Sequence, residues 1–214
     1  MPIDTYEIKT TRSPLETYEW DDIWWDHAPD KEGKRILIIG DSISRGYRRA
    51  AAKIENRDFY IDGIATSKAV DNTTFYTLLD YYAQSGLPYD AVFFNNGLHG
   101  WHLDDSEKFK AHFEKLAAYI KERFSPKSFY IVLTTPVRKS KQTEIFDERN
   151  ERAKLRNISA AEVAEKLGAE TVDLFSLIEN RPDLYTQDGV HLVDEGYDLL
   201  ANEILTTIKS KGKN

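Results

Sequence analysis

Arg35-Ile36-Leu37-Ile38-Ile39-Gly40-Asp41-Ser42-Ile43-Ser44 is the stretch that decides the fold. Ile36 to Ile39 are aliphatic at every position, and the run stops at a glycine. A short run with no polar face suits a strand covered on both sides, as in a parallel sheet. Gly40 permits a sharp turn without a Cβ clash, and Asp41 or Ser42 is the residue type that caps a helix. The stretch therefore reads as strand, turn, helix.

The alternation repeats downstream. Four further strands are expected at Phe59 to Asp62, Ala91 to Asn95, Phe129 to Thr134 and Thr171 to Leu174. Between them, Phe109, Phe113, Leu116, Ala117, Ile120 and Phe124 recur at steps of three and four and make one helical stripe. Asp104 with Glu107 resembles a capping box at its start. A second stripe runs through Tyr197, Leu200, Ala201, Ile204, Leu205 and Ile208, and a third helix is expected from about Glu148 to Leu167, with Gly168 as its C-cap. Strands alternating with helices imply an α/β protein, a parallel sheet with helices on both faces. No linker divides residues 35–214, which read as one domain. Residues 1–34 are acidic and aromatic and read as an arm packed on that domain through Trp20, Trp24 and Trp25.

Composition excludes several classes. The 214 residues carry a net charge of −7 and no cysteine, so disulfide scaffolds, thiolate metal sites and cysteine nucleophiles are ruled out. The basic residues are scattered among acids, and the longest basic cluster is Lys209, Lys211 and Lys213, which gives nucleic acid no footprint. No apolar run approaches the ~20 residues of a membrane span. Met1-Pro2-Ile3-Asp4 carries no signal-peptide core, so a cytoplasmic protein is expected, or a secreted one if a signal has been removed. Neither Gly-x-Gly-x-x-Gly nor a P-loop is present, and no cofactor is expected. His99-x-x-His102 has metal-ligand spacing but no third ligand nearby, so no metal is expected.

In open α/β sheets, ligands sit beyond the carboxyl ends of the strands. Ser42 falls there, at the start of the first helix, where a backbone N–H and the helix dipole face a developing oxyanion. A serine hydroxyl needs a base. Asp188-Gly189-Val190-His191, just before the last helix, supplies a histidine and, three residues earlier, a carboxylate to fix its tautomer. The plain alternatives are an N-cap at residues 41–42 and a surface Asp–His hydrogen bond.

Gly40-Asp41-Ser42 after the first strand, with Asp188-x-x-His191 before the last helix, resembles the SGNH/GDSL hydrolase family over residues 35 to about 209. The resemblance implies a flavodoxin-like three-layer α/β/α fold with five parallel strands, and an esterase, lipase, thioesterase or carbohydrate deacetylase activity. It makes Ser42 the nucleophile, His191 the base and Asp188 its orienting partner. The family's Gly-x-Asn-Asp block is altered. With Gly97 on the family glycine, His99 stands where the oxyanion-binding Asn should be, and Asn95 or Asn96 is the alternative donor. For the family's glycine N–H after the second strand, loop length favours Ser67 over Gly63. The oxyanion donors expected are thus the N–H groups of Ser42 and Ser67 and the side chain of His99. The Asn-Asn-Gly-Leu-His run also resembles a bacterial subgroup associated with carbohydrate esters.

Arg138, Arg45 and Trp101 are candidates for holding substrate, set against a surface salt bridge for Arg138 and core packing for Trp101. The expected activity is hydrolysis of short acyl esters, acetyl above all, on carbohydrates. Acyl transfer by the same triad and an inactive carbohydrate-binding module are the rivals. Oligomeric state is left open by the sequence.

Overall fold

The computed structural model describes residues 15–55 and 58–211. Its first half comprises β1 (Asp21–Trp24), β2 (Arg35–Gly40), α1 (Ser42–Ile54), β3 (Tyr60–Thr66), α2 (Thr73–Ala83) and β4 (Ala91–Phe94). There follow α3 (Ser106–Phe124), β5 (Ser128–Leu133), β6 (Arg138–Lys139), β7 (Gln142–Phe146), α4 (Arg149–Leu167), β8 (Glu170–Asp173), α5 (Leu174–Ile178) and α6 (Asp194–Lys211).

The aliphatic run of β2 is buried at every position, and its alternation creates the layers. Ile36 and Ile38 join Phe93 and Tyr130 beneath Tyr47 and Ala50 of α1 and Leu200, Ala201 and Ile204 of α6. Leu37 and Ile39 join Val92 and Phe94 beneath Leu79 of α2 and Phe113, Leu116 and Ile120 of α3. Side chains two residues apart share a face, so one strand feeds two cores. The result is the three-layer α/β/α arrangement.

The sheet order is β1-β3-β2-β4-β5-β8. The last five strands are parallel, as expected, but a sixth is added: β1 pairs antiparallel with β3, from Asp21 opposite Thr66 to Trp24 opposite Gly63. Asp-Asp-Ile-Trp carries no alternating apolar pattern, which is why the sequence hid it. An edge strand is held on one side only, by backbone bonds that any side chain allows. Of the expected N-terminal arm, residues 1–14 lie outside the described residues.

Two local expectations are corrected. β3 runs on to Thr66, so Gly63 is inside a strand rather than at its end. It is glycine for another reason: a Cβ there would lie 2.3 Å from Cδ of Arg48, whose stem crosses the strand. The cap of α3 is Asp105, not Asp104, and its carboxylate accepts from the N–H groups of Glu107 and Lys108.

One charged pair lies within the sheet. Arg35 and Asp62 are fully buried, with Nη1 of Arg35 3.0 Å from both carboxylate oxygens. The guanidinium also donates to the carbonyls of Asp26, His27 and Asp30, tying down the segment between β1 and β2. No helix among the described residues is long and apolar enough to cross a membrane.

Candidate active site

β2 delivers Ser42. Gly40 leaves no room for a side chain, since a Cβ would lie 2.0 Å from the Ser44 hydroxyl and 2.9 Å from the Asn95 carbonyl oxygen. Asp41 is the N-cap of α1, and its carboxylate accepts from the N–H groups of Ile43 and Ser44. The cap therefore leaves Ser42 as the first residue of the helix, where an N–H has no partner within the helix.

The loop before α6 delivers the histidine. Asp188 Oδ1 accepts from the Val190 N–H at 2.8 Å, the His191 N–H at 2.9 Å and the Thr186 hydroxyl at 2.9 Å. Its Oδ2 lies 2.7 Å from His191 Nδ1. His191 Nε2 lies 2.9 Å from Ser42 Oγ. With the proton on Nδ1, facing the carboxylate, Nε2 is free to accept from the serine. The two halves are 149 residues apart in the chain. Burial acts to raise the Asp188 pKa, but the N–H of Val190, the ring and N–H of His191 and the Thr186 hydroxyl outweigh it and hold the carboxyl down at about 2. Asp188 is therefore ionised at neutral pH.

The expected oxyanion donors fare unequally. The Ser67 N–H is donated to the Trp20 carbonyl at 3.1 Å, because the β1–β3 ladder continues one residue past the strands. The Ser67 hydroxyl donates to Glu19 and accepts from the Trp20 N–H. Ser67 fastens the edge strand and, in this arrangement, has no N–H to offer an oxyanion. The Asn95 amide donates to the Val132 carbonyl and the Asn96 amide to the Lys68 carbonyl, so both are ties between strand ends. The imidazole of His99 makes no hydrogen bond among the described residues. Its nearest acid is Glu16, 3.6 Å from Nδ1, which accepts instead from the Gly100 N–H at 2.8 Å.

The substrate candidates have partners within the fold. Arg138 is 2% exposed and braces the fold, donating to the carbonyls of Thr143 and Glu179 between the rings of Phe146 and Tyr185. Arg45 lies over the Trp20 ring at 4.9 Å and 3.9 Å from Asp22, engaged with the N-terminal segment. Trp101 is half-buried against the core, with the guanidinium groups of Arg152 and Arg156 over its ring at 5.2 and 4.5 Å. His102 pairs with Asp71. Among the described residues, no three His, Asp or Glu side chains converge as metal ligands.

The sequence reading missed Arg156. This α4 residue donates to the carbonyls of Gly97, His99, Gly100 and Leu103 and so holds the loop that carries His99. The signal was available: Arg149, Arg152 and Arg156 recur at helical spacing on one face.

No family model matches the sequence, and no curated protein matches it. Solved structures do match. A GDSL lipolytic-family protein from Veillonella parvula is 20% identical, with 81% of this chain and 97% of that chain covered and a TM-score of 0.62. The fold is that of the SGNH/GDSL hydrolases. A GDSL-like lipase from Bacteroides thetaiotaomicron is 18% identical over 86% of this chain and 92% of that one, at a TM-score of 0.64. An acetyl-xylooligosaccharide esterase from Geobacillus stearothermophilus, solved as a mutant, is 17% identical over 84% and 96%, at 0.62.

Proposed function

We propose that this SGNH-fold chain is a serine ester hydrolase that removes short acyl groups, acetyl above all, from carbohydrate hydroxyls. The observation that carries the reading is the relay of 2.9 and 2.7 Å from Ser42 through His191 to Asp188. Ser42 attacks the ester carbonyl as His191 takes its proton, and the Asp188 carboxylate stabilises the imidazolium. The Ser42 N–H and the His99 imidazole serve the oxyanion, each such donor being worth about 3–4 kcal/mol of barrier. Collapse of the tetrahedral intermediate passes the proton from His191 to the leaving alcohol and leaves an acyl-serine. His191 then takes a proton from water, whose oxygen attacks the acyl carbon; the bond to Ser42 Oγ breaks, His191 returns the proton to that oxygen, and a carboxylic acid leaves.

The carbohydrate part rests on likeness. One neighbour is an acetyl-xylooligosaccharide esterase, and the loop after β4 carries the partly buried His99 and Trp101. Hydrolysis of p-nitrophenyl acetate, and acetate release from acetylated xylo-oligosaccharides, test the reading. Ser42→Ala is expected to abolish both, and a variant that keeps wild-type turnover overturns it. The engagement of Ser67 by Trp20 favours one second reading, a carbohydrate-binding module without turnover. Labelling of Ser42 by a fluorophosphonate decides against that module, and glycan binding without labelling decides for it.

A further inference from the structure

Helix α1 begins at the candidate nucleophile, spans thirteen residues and ends beside a cavity. At ~1.5 Å per residue, Lys53 lies about 16 Å along the axis from Ser42. The cavity measures about 520 Å³ and opens between the second half of α1, the end of β1 and the start of β3. That volume is within the ~300–1,000 Å³ of small-molecule sites.

Its wall holds an unusual cation. Arg48 is only 6% exposed, yet its guanidinium makes no hydrogen bond or ion pair among the described residues. The Trp24 ring lies 5.5 Å from the guanidinium carbon. The guanidinium donors are thus left to whatever fills the cavity, and a largely buried cation gains most from an ion that pairs with it. Burial lowers the Arg48 pKa, an effect that the Asp22 and Asp26 carboxylates oppose. The fold nevertheless makes room for this side chain, since Gly63 gives up a Cβ that would strike its stem.

The surroundings define what would complete it. Arg49 and Lys53 line the same cavity. The two lining carboxylates are already engaged: Asp26 accepts from the Ile61 N–H and pairs with the His27 ring, and Glu55 pairs with Lys209. The lining thus carries three cations, Arg48, Arg49 and Lys53, against two carboxylates, with Arg49 also paired to Asp22 at 2.9 Å. A planar guanidinium flanked by two further cations matches a dianion, and phosphate accepts its forked donors in pairs. The remaining wall is aromatic. His27 and Tyr60 stack at 4.7 Å, and half-exposed Trp24 stands beside them.

We propose that this cavity binds a phosphorylated ring compound, a sugar phosphate or a nucleoside monophosphate, with Arg48 as the contact to the phosphate. The ring lies against the aromatic wall, and Arg49 and Lys53 complete the charge. The site is separate from the triad and does not rest on the hydrolase reading.

Calorimetric titration of the full chain with inorganic phosphate, glucose 6-phosphate and adenosine monophosphate, beside glucose and adenosine, tests it. Saturable binding of at least one phosphate monoester is expected, at least tenfold tighter than its unphosphorylated counterpart, and the two esters distinguish sugar from nucleoside. Arg48→Met keeps the stem across Gly63 and is expected to weaken binding at least tenfold. Should that variant fail to fold, the exposed pair Arg49→Gln and Lys53→Gln replaces it, with a threefold or greater loss expected. Ser42→Ala is expected to bind as the wild type does. No saturable binding by any phosphate compound overturns the proposal, as does equal binding by the cavity variants or loss of binding in Ser42→Ala.

Discussion

Gly189 accepts the Arg138 N–H on its carbonyl at 2.8 Å and has no space for a side chain, since a Cβ would lie 2.1 Å from the Arg138 carbonyl oxygen. Its φ of 77° is one that an L-residue adopts only under strain. The β6–β7 hairpin thus presses against the loop that carries Asp188 and His191. Lys141 reinforces the contact by donating its N–H to the Gln187 carbonyl. Gly189→Ala is expected to cost about 1–3 kcal/mol of stability and to move His191 off the Ser42 hydroxyl. A fall of roughly tenfold or more in kcat on p-nitrophenyl acetate, with a lower Tm, is the expected outcome. Wild-type turnover in this variant would show that the hairpin does not position the histidine.

Asp188→Asn removes the charge that stabilises the imidazolium and disturbs the tautomer that leaves Nε2 free. A loss of roughly 10³- to 10⁴-fold in kcat is expected. The same carboxylate affects stability. Its folded pKa of about 2 lies below the ordinary value of 3.8, so its contribution is complete above about pH 4 and disappears as pH falls to about 2. The Tm difference between wild type and Asp188→Asn should therefore be constant near neutrality and close between pH 4 and pH 2. A difference that persists unchanged at pH 2 contradicts the assigned hydrogen bonds.

What the sequence made legible follows from what each part depends on. The five parallel strands and the triad are written in short local patterns: an aliphatic run ending in Gly40, and Asp188 three residues before His191. The β1 edge strand and the β6–β7 hairpin depend on backbone pairing, which side-chain periodicity does not record. The donors around the oxyanion were the least legible. Whether Ser67 offers its N–H inward or outward is set by the strand beside it, and nothing at 60–68 shows that Trp20 will be there. Arg138 and Trp101 read as candidates for holding substrate, with a surface salt bridge and core packing as the plain alternatives. Long side chains reach five or more ångströms, so sequence position does not say whether they end in solvent or under a neighbouring loop.

Arg35 and Asp62 test the core. Burial holds the Asp62 carboxyl above the usual range despite the Asp26 N–H, the Arg35 guanidinium and the Tyr89 hydroxyl, which all favour its ionised form. Arg35→Met leaves that carboxylate buried without its cation and also removes the guanidinium bonds to the carbonyls of Asp26, His27 and Asp30, of which that of His27 alone keeps a donor among the described residues, the Asp30 N–H. A loss of about 3–5 kcal/mol is expected for breaking a buried pair from one side, and ~2–4 °C of Tm per kcal/mol applies at this chain length. The double variant Arg35→Met with Asp62→Leu should recover part of that loss. A single variant within 2 °C of the wild-type Tm would mean that the pair is dispensable.

Arg156 gives a sharper test of the loop after β4, because it touches four carbonyls and no part of the triad. Its guanidinium lies 2.9 Å from the Gly97 carbonyl, 2.7 Å from those of His99 and Gly100, and 3.2 Å from that of Leu103. The rings of Trp101 and Phe109 are at 4.5 and 4.6 Å. Burial lowers its pKa to about 10, so it remains a cation at neutral pH. Arg156→Met keeps the packing volume but strips the Gly97 and His99 carbonyls of this donor, while Gly100 keeps the Leu103 N–H and Leu103 keeps Arg152, so the segment that places His99 loses its main tie at that end. If His99 serves the oxyanion, the loss belongs to the transition state. On that ground kcat should fall by roughly 10- to 100-fold with little change in KM. The pH profile should keep its shape, since the Ser42–His191 contact belongs to a different loop. Arg156→Lys can place three donors on one nitrogen but cannot span carbonyls from Gly97 to Leu103, so it should recover only part of the rate. A variant that loses Tm yet retains kcat would show that Arg156 holds the loop without positioning His99 for catalysis.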